Sequence, residues 1–202
     1  MKQALAGAIG FVLLTALLAA GGLLSLDVAV RDWVDGHRPE VLWVAAKGLY
    51  FLGSANLIAP ILLVVAAVLA VRDRTPRPVL GVLLTAASSY VVVVPLKMLT
   101  DRSAPHAPWP DAERLFTHDA GWSYPSGHVV NTLIWYPLLV ALIARALRRP
   151  LEAGVRRALL VVPVVIVFVT VTYLGYHWIT DCVAGVLLGL ALRSALAWVK
   201  AE

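Results

Sequence analysis

Residues 3–26 contain no charged side chain, and neither do residues 48–71 or 78–96. Residues 120–144 and 158–180 carry only the histidines His128 and His177, and 182–199 are interrupted once, by Arg193. A membrane-spanning helix takes about 20 mainly apolar residues. In hydrocarbon every backbone N–H and C=O must find its partner within the segment, so runs of this length become helices. The pattern predicts an all-α, integral membrane bundle of six transmembrane helices, over 4–26, 53–71, 79–99, 126–146, 157–174 and 180–199. Composition agrees: 60% of residues are hydrophobic and 14% charged, against about a quarter charged in a soluble domain. A disordered chain, a water-soluble enzyme and a disulfide scaffold are excluded. Cys182 is the only cysteine, so no intrachain disulfide can form.

The first run is longer than the ~7–15-residue core of a signal peptide, so it is read as a span. Residues 1–202 show no internal repeat and no linker, and are expected to form a single membrane-embedded domain.

The net charge is +5. In a membrane protein its placement decides more than its sum, and no nucleic-acid partner is expected. Lys2, Arg72, Arg74, Arg77, Arg145, Arg148, Arg149, Arg156, Arg157, Arg193 and Lys200 fall on one side of the predicted bundle. Arg31, Arg38, Lys47, Lys97, Arg102 and Arg114 fall on the other. The positive-inside rule puts the richer set in the cytoplasm. Both termini are then cytoplasmic, and 27–52, 97–124 and 175–181 face outward from the plasma (cell inner) membrane. Residues 39–51 read either as an interfacial amphipathic helix or as a plain loop. Gly185 and Gly189 form a G-x-x-x-G, which serves either close packing within the bundle or a homodimer face.

Polar side chains at membrane depth are costly and mark function. Here they converge on the outer layer. Lys97 ends the third predicted span, Pro125-Ser126-Gly127-His128 opens the fourth, and His177 and Asp181 flank the start of the sixth. Proline suits a first helical turn, serine brings a hydroxyl, and glycine allows close approach. The N–H groups of a helix start form an anion site, and a histidine there can exchange a proton near neutral pH. The bland reading is a serine-capped helix with an incidental histidine.

A spacing of four brings His177 and Asp181 to one helical face. A carboxylate beside an imidazole fixes its tautomer and raises its basicity, and such a histidine can act as a nucleophile. The bland reading is an aspartate cap beside an interfacial histidine. A metal site completed by His106 or His118 is a further alternative, but it gives no role to the Pro-Ser-Gly run or to Lys97.

These residues resemble the motifs of the type 2 phosphatidic acid phosphatase (PAP2) superfamily of membrane lipid phosphatases. Its three motifs are K-x6-R-P, P-S-G-H and S-R-x5-H-x3-D. The second is intact at Pro125–His128. The third matches at His177 and Asp181, and the first at Lys97 and Pro105. The order of the motifs and the six-span topology fit as well. Both family arginines are replaced, by Ala104 in the first motif and by Val171 in the third, where Thr170 also stands for serine. Arg102, two residues before Ala104, is the obvious substitute cation, with His106, Arg114 and His118 as others.

The resemblance implies a lipid phosphatase in which His177 attacks phosphorus and forms a phospho-histidine. Asp181 orients it, and His128 serves as acid and then base. Lys97, Ser126, Gly127 and Arg102 would hold the phosphate. No metal or cofactor enters this scheme. The substrate is expected to be an isoprenoid phosphate or diphosphate, a phosphatidate or a phosphatidylglycerol phosphate, reached from the bilayer. A lipid phosphotransferase using the same histidines, and a non-catalytic protein that binds or transports lipid, are the alternatives.

Overall fold

The computed structural model describes residues 2–117 and 121–196. It contains eight α-helices among those residues: α1 Lys2–Ala19, α2 Leu24–Gly36, α3 Glu40–Leu49, α4 Ala55–Asp73, α5 Arg77–Thr100, α6 Gly127–Leu147, α7 Ala153–Tyr173 and α8 Ile179–Ala195, with a 3₁₀ turn at Tyr50–Gly53 after α3. Five of them, α1, α4, α5, α6 and α7, are long and apolar enough to cross a membrane. The sixth predicted span corresponds to α8, and residues 197–199 of that prediction lie outside the described residues.

The first predicted span, 4–26, is corrected. The helix stops at Ala19, and the chain turns through Gly21 at φ +84° and Leu23 at φ +64° before α2 begins. A left-handed residue ends a helix, and glycine adopts that conformation without steric cost. Apolar character continues through the turn, so hydropathy alone did not reveal it. The segment 39–51 is helical rather than a plain loop, and it exposes Val41, Leu42 and Val44.

The architecture is a bundle built around α6. Half of α6 is buried, against 17% of α1 and of α4. Val129, Val130, Ile134 and Trp135 pack at its centre against α4, α5, α7 and α8. The outer faces of α1, α4 and α5 leave Leu13, Val64, Val68 and Val91 exposed. Helices that are apolar all round belong in a core or a bilayer, so these faces are the lipid-facing wall of a multi-pass membrane protein.

Small residues set the tightest contacts. A Cβ on Gly185 would stand 2.8 Å from the Ser126 carbonyl oxygen, and one on Gly189 would stand 2.6 Å from Leu133 Cδ1. The G-x-x-x-G face is thus occupied by α6 within the bundle. It brings the start of α8 against the start of α6, where the polar residues collect.

Candidate active site

Two helix starts and two loops build the site. Ser126 is the N-cap of α6, and its Oγ accepts from the Val129 N–H at 3.5 Å. Its own N–H donates to the Asp181 carbonyl at 3.0 Å, which ties α6 to α8. Ser126 is fully buried, whereas Gly127 and His128 are partly exposed. The cap satisfies one orphan N–H. Those of the first helical turn have no acceptor within the helix.

Asp181 lies in the first turn of α8 and is also fully buried. Its Oδ2 accepts from the Trp178 backbone N–H at 3.0 Å, a reach-back contact that closes the helix start. The same oxygen accepts from Ser123 Oγ at 2.5 Å and lies 3.6 Å from His177 Nδ1. Ser123 Oγ is 3.3 Å from His177 Nδ1. Asp181 is therefore both the cap and the neighbour of His177, so the two sequence readings of that residue coexist. The pairing does not arise from a shared helical face, because His177 precedes the helix.

His177 is 7% exposed. Burial lowers its pKa from the ordinary 6.5, with the Asp181 contact acting in the opposite direction. A neutral ring with Nδ1 turned to Ser123 and Asp181 leaves Nε2 as its other nitrogen. His128 faces it, with ring centroids 5.8 Å apart at an interplanar angle of 64°. Tyr50 packs on His128 at 5.6 Å and on Tyr176 at 5.4 Å, making an aromatic wall beside the two histidines.

Lys97 comes from the last turn of α5, and its Nζ donates to the backbone carbonyls of Trp122 and Ser123. Its stem passes over Gly127, where a Cβ would lie 3.6 Å from Lys97 Cε.

Arg102, expected to contact phosphate, is instead sequestered. It is fully buried. Its Nη1 donates to Asp181 Oδ1 at 2.5 Å and to Thr180 Oγ1 at 2.8 Å. Its Nη2 donates to Asp27 Oδ2 at 2.5 Å, and its Nε to the Glu113 carbonyl at 2.8 Å. The guanidinium also lies over the Trp178 ring at 5.4 Å. All three nitrogens are thus engaged within the protein. Arginine's planar fork suits this multidentate use.

The other cations named from the sequence are occupied elsewhere or not described. His106 Nε2 contacts Asp35 at 3.0 Å and Arg114 contacts Asp111 at 3.2 Å. His118 lies outside the described residues. A narrow cavity beside His177 is lined in part by Arg31 and Arg38. Arg31 pairs with Asp32 at 2.8 Å, and Arg38 pairs with Asp35. Among the described residues, no three His, Cys, Asp or Glu side chains form a group suited to a metal ion.

Sequence reasoning missed Asp27, Thr180 and Ser123 as members of this constellation. Asp27 Oδ1 accepts from the Thr180 N–H at 3.0 Å and its Oδ2 from Thr180 Oγ1 at 2.6 Å. The one available signal was that Asp27 is the charge that ends the first apolar run.

The model of the PAP2 superfamily matches residues 78–201, which include all the elements that carry Lys97, His128, His177 and Asp181. The chain belongs to the PAP2 superfamily. It is also 25% identical over 186 residues to phosphatidylglycerophosphatase B of Bacillus subtilis (strain 168), covering 90% of this chain and 87% of that protein. Its fold superposes with a TM-score of 0.81 on the crystal structure of a transmembrane PAP2-type phosphatidylglycerolphosphate phosphatase from Bacillus subtilis. The two share 24% identity, with 98% of this chain and 96% of the other covered. A 70-residue match, 32% of this chain but only 8% of the other protein, is 37% identical to the DNA translocase FtsK of Mycobacterium leprae (strain TN). The PAP2 membership accounts for the helical membrane bundle and for the order of its motif residues along the chain.

Proposed function

We propose that this PAP2 protein is an integral membrane lipid phosphatase, a hydrolase of an amphiphilic phosphate ester. The observation that carries the reading is the facing pair of histidines 5.8 Å apart, one of them backed by Asp181 and Ser123. Nε2 of His177 attacks phosphorus, and the bond from phosphorus to the leaving oxygen breaks. His128 gives that oxygen a proton. The phospho-histidine then meets a water whose proton His128 takes, and inorganic phosphate leaves. Acid–base help of this kind contributes about 10²–10⁴ in rate.

Lys97 and the first-turn N–H groups of Gly127 and His128 hold the phosphoryl oxygens. Phosphoryl transfer rests mainly on positioning and charge stabilisation, and a helix start supplies both. The buried Ser126 acts as the cap that shapes this start, rather than as a direct ligand. Arg102 acts as a positioning residue. It fixes the Asp181 carboxylate from the side away from His177 and leaves phosphate to Lys97 and the helix dipole. The scheme uses no metal.

The substrate keeps its tail in the bilayer while its head reaches the histidines at the extracytoplasmic interface, with both termini cytoplasmic. Similarity to phosphatidylglycerophosphatase B favours phosphatidylglycerol phosphate over an isoprenoid phosphate or phosphatidate. The test is phosphate release by purified protein, without added metal, across these three lipid classes, with wild type beside His177→Ala. Release that disappears in His177→Ala is expected. Folded wild type that releases phosphate from none of the lipids would sink the reading and leave a lipid-binding protein. Appearance of the phosphoryl group on an added alcohol, as a new phosphate ester in place of inorganic phosphate, would make the chain a phosphotransferase.

A further inference from the structure

At the end of the bundle opposite the histidines, the arginines divide into two kinds. Arg72 and Arg145 are engaged. Both donate to Asp73, at 2.7 Å each, and Arg72 also donates to the carbonyls of Arg145 and Ala146. They tie the end of α4 to the end of α6. Arg156, Arg157 and Arg193 differ. No hydrogen-bond acceptor or carboxylate partner is found for their side chains among the described residues. They surround one open cavity of about 470 Å³ between the start of α7 and the end of α8. Its other lining residues are Ala153, Leu160 and Val161, and none of the lining residues is acidic.

The lining is arranged along the membrane normal. Leu160 and Val161 stand four residues, one helical turn, beyond Arg156 and Arg157, on the same faces of α7. The stripe continues toward the bundle centre through Val165, which is 55% exposed. A positive rim therefore leads into an apolar wall open to the bilayer. Arg157 lies about 25 Å along α7 from Tyr173, at 1.5 Å per residue, so this cavity is separate from the histidine site. Topology alone asks for basic residues on this side. It does not ask for three guanidiniums around one cavity with no partner among the described residues.

We propose that this cavity binds an anionic phospholipid of the nearer leaflet. The lipid phosphate sits among Arg156, Arg157 and Arg193, where guanidinium forks match phosphate oxygens, and an acyl chain follows Leu160, Val161 and Val165. Basic pockets between transmembrane helices recognise lipid head groups by this chemistry. The occupant is a lipid rather than a free anion because the charged rim opens onto an exposed apolar stripe. The inference is independent of the phosphatase reading.

The experiment is native mass spectrometry of the purified full chain in mixed micelles of detergent with phosphatidylserine or phosphatidylcholine. Phosphatidylserine is a phosphodiester and offers no phosphate monoester to the histidine site. Wild type and His177→Ala are expected to retain phosphatidylserine equally, and well above phosphatidylcholine. Arg156→Gln/Arg157→Gln/Arg193→Gln is expected to weaken retention on the order of a hundredfold, at about fivefold per basic side chain. Its melting in phosphatidylcholine micelles should match wild type. If the triple variant does not fold, Arg156→Gln and Arg193→Gln singly should each weaken retention about fivefold. Retention within about twofold of wild type in a folded variant overturns the proposal. Displacement of the lipid by millimolar inorganic phosphate would also overturn it, and would make this a site for soluble anions.

Discussion

Asp27→Asn tests the buried network behind the histidines. The native carboxylate takes Arg102 Nη2 at 2.5 Å, the Thr180 N–H at 3.0 Å and Thr180 Oγ1 at 2.6 Å, and the side chains of Asp27 and Arg102 are both fully buried. Asparagine keeps the shape and one acceptor for the Thr180 N–H. Its amide nitrogen then meets the Arg102 guanidinium donor to donor, and Arg102 is left with Asp181 as its sole counter-charge. Removing one partner of a buried ion pair costs about 3–5 kcal/mol. Arg102 retains Asp181, so the lower end, about 3 kcal/mol, applies. For a chain of this length that is a drop of roughly 6–12 °C in midpoint, read by thermal unfolding in a mild detergent. Asp32→Asn is the control, since it breaks only the exposed Arg31 pair, and exposed pairs contribute little. Asp27→Asn/Arg102→Gln should be less destabilised than the sum of its single changes, by about 0.5–3 kcal/mol, because the two side chains share one interaction. If Asp27→Asn melts with Asp32→Asn, the network carries no stability and the reasoning is wrong.

Two further predictions follow from the same geometry. Burial holds the His177 pKa below 6.5, so the neutral ring that the proposed mechanism needs persists as pH falls past that value. The acid limb of kcat/KM, measured from pH 4 to 8, should therefore have its midpoint below about 6.5, with rate rising as pH increases through it; a limb above it would contradict the assignment. Gly53→Ala places a Cβ 2.7 Å from the His128 carbonyl oxygen and 2.8 Å from Val167 Cγ1. Overpacking should cost about 1–3 kcal/mol and lower kcat by moving His128, and a variant equal to wild type in both melting and turnover would show that the contact relaxes freely.

The uncharged runs told where helices lie, because hydrocarbon leaves a backbone no other choice. They did not tell where a helix ends inside apolar sequence. The break at Gly21 depends on a left-handed turn, and hydropathy is silent about φ. The facing histidines were legible as motifs. His177 and Asp181 were legible as neighbours for a reason that proved local: the carboxylate reaches back from the first turn of α8 to close the helix start. Arg102 was visible as a cation near Ala104, but its partner Asp27 is 75 residues away in sequence. No local pattern reports such a pairing. Ser123 stands just before the Pro-Ser-Gly-His run, and its contact with His177 appears only when α6 and α8 are brought together through Gly185.

Arg102 between two carboxylates also sets the charge that an incoming phosphate meets. Asp27 and Asp181 together outweigh it by one negative charge, and Lys97 restores neutrality. On the side toward α2, Arg31 is matched by Asp32 and Arg38 by Asp35. The resting site therefore has almost no net attraction for a dianion at a distance, and under the proposed function what holds the phosphoryl group is short-ranged: N–H dipoles at the start of α6 and one ammonium. Long-range fields are what dissolved ions screen. Capture of the lipid should thus be governed by its partition into the bilayer and its lateral diffusion there, and should be nearly indifferent to ionic strength.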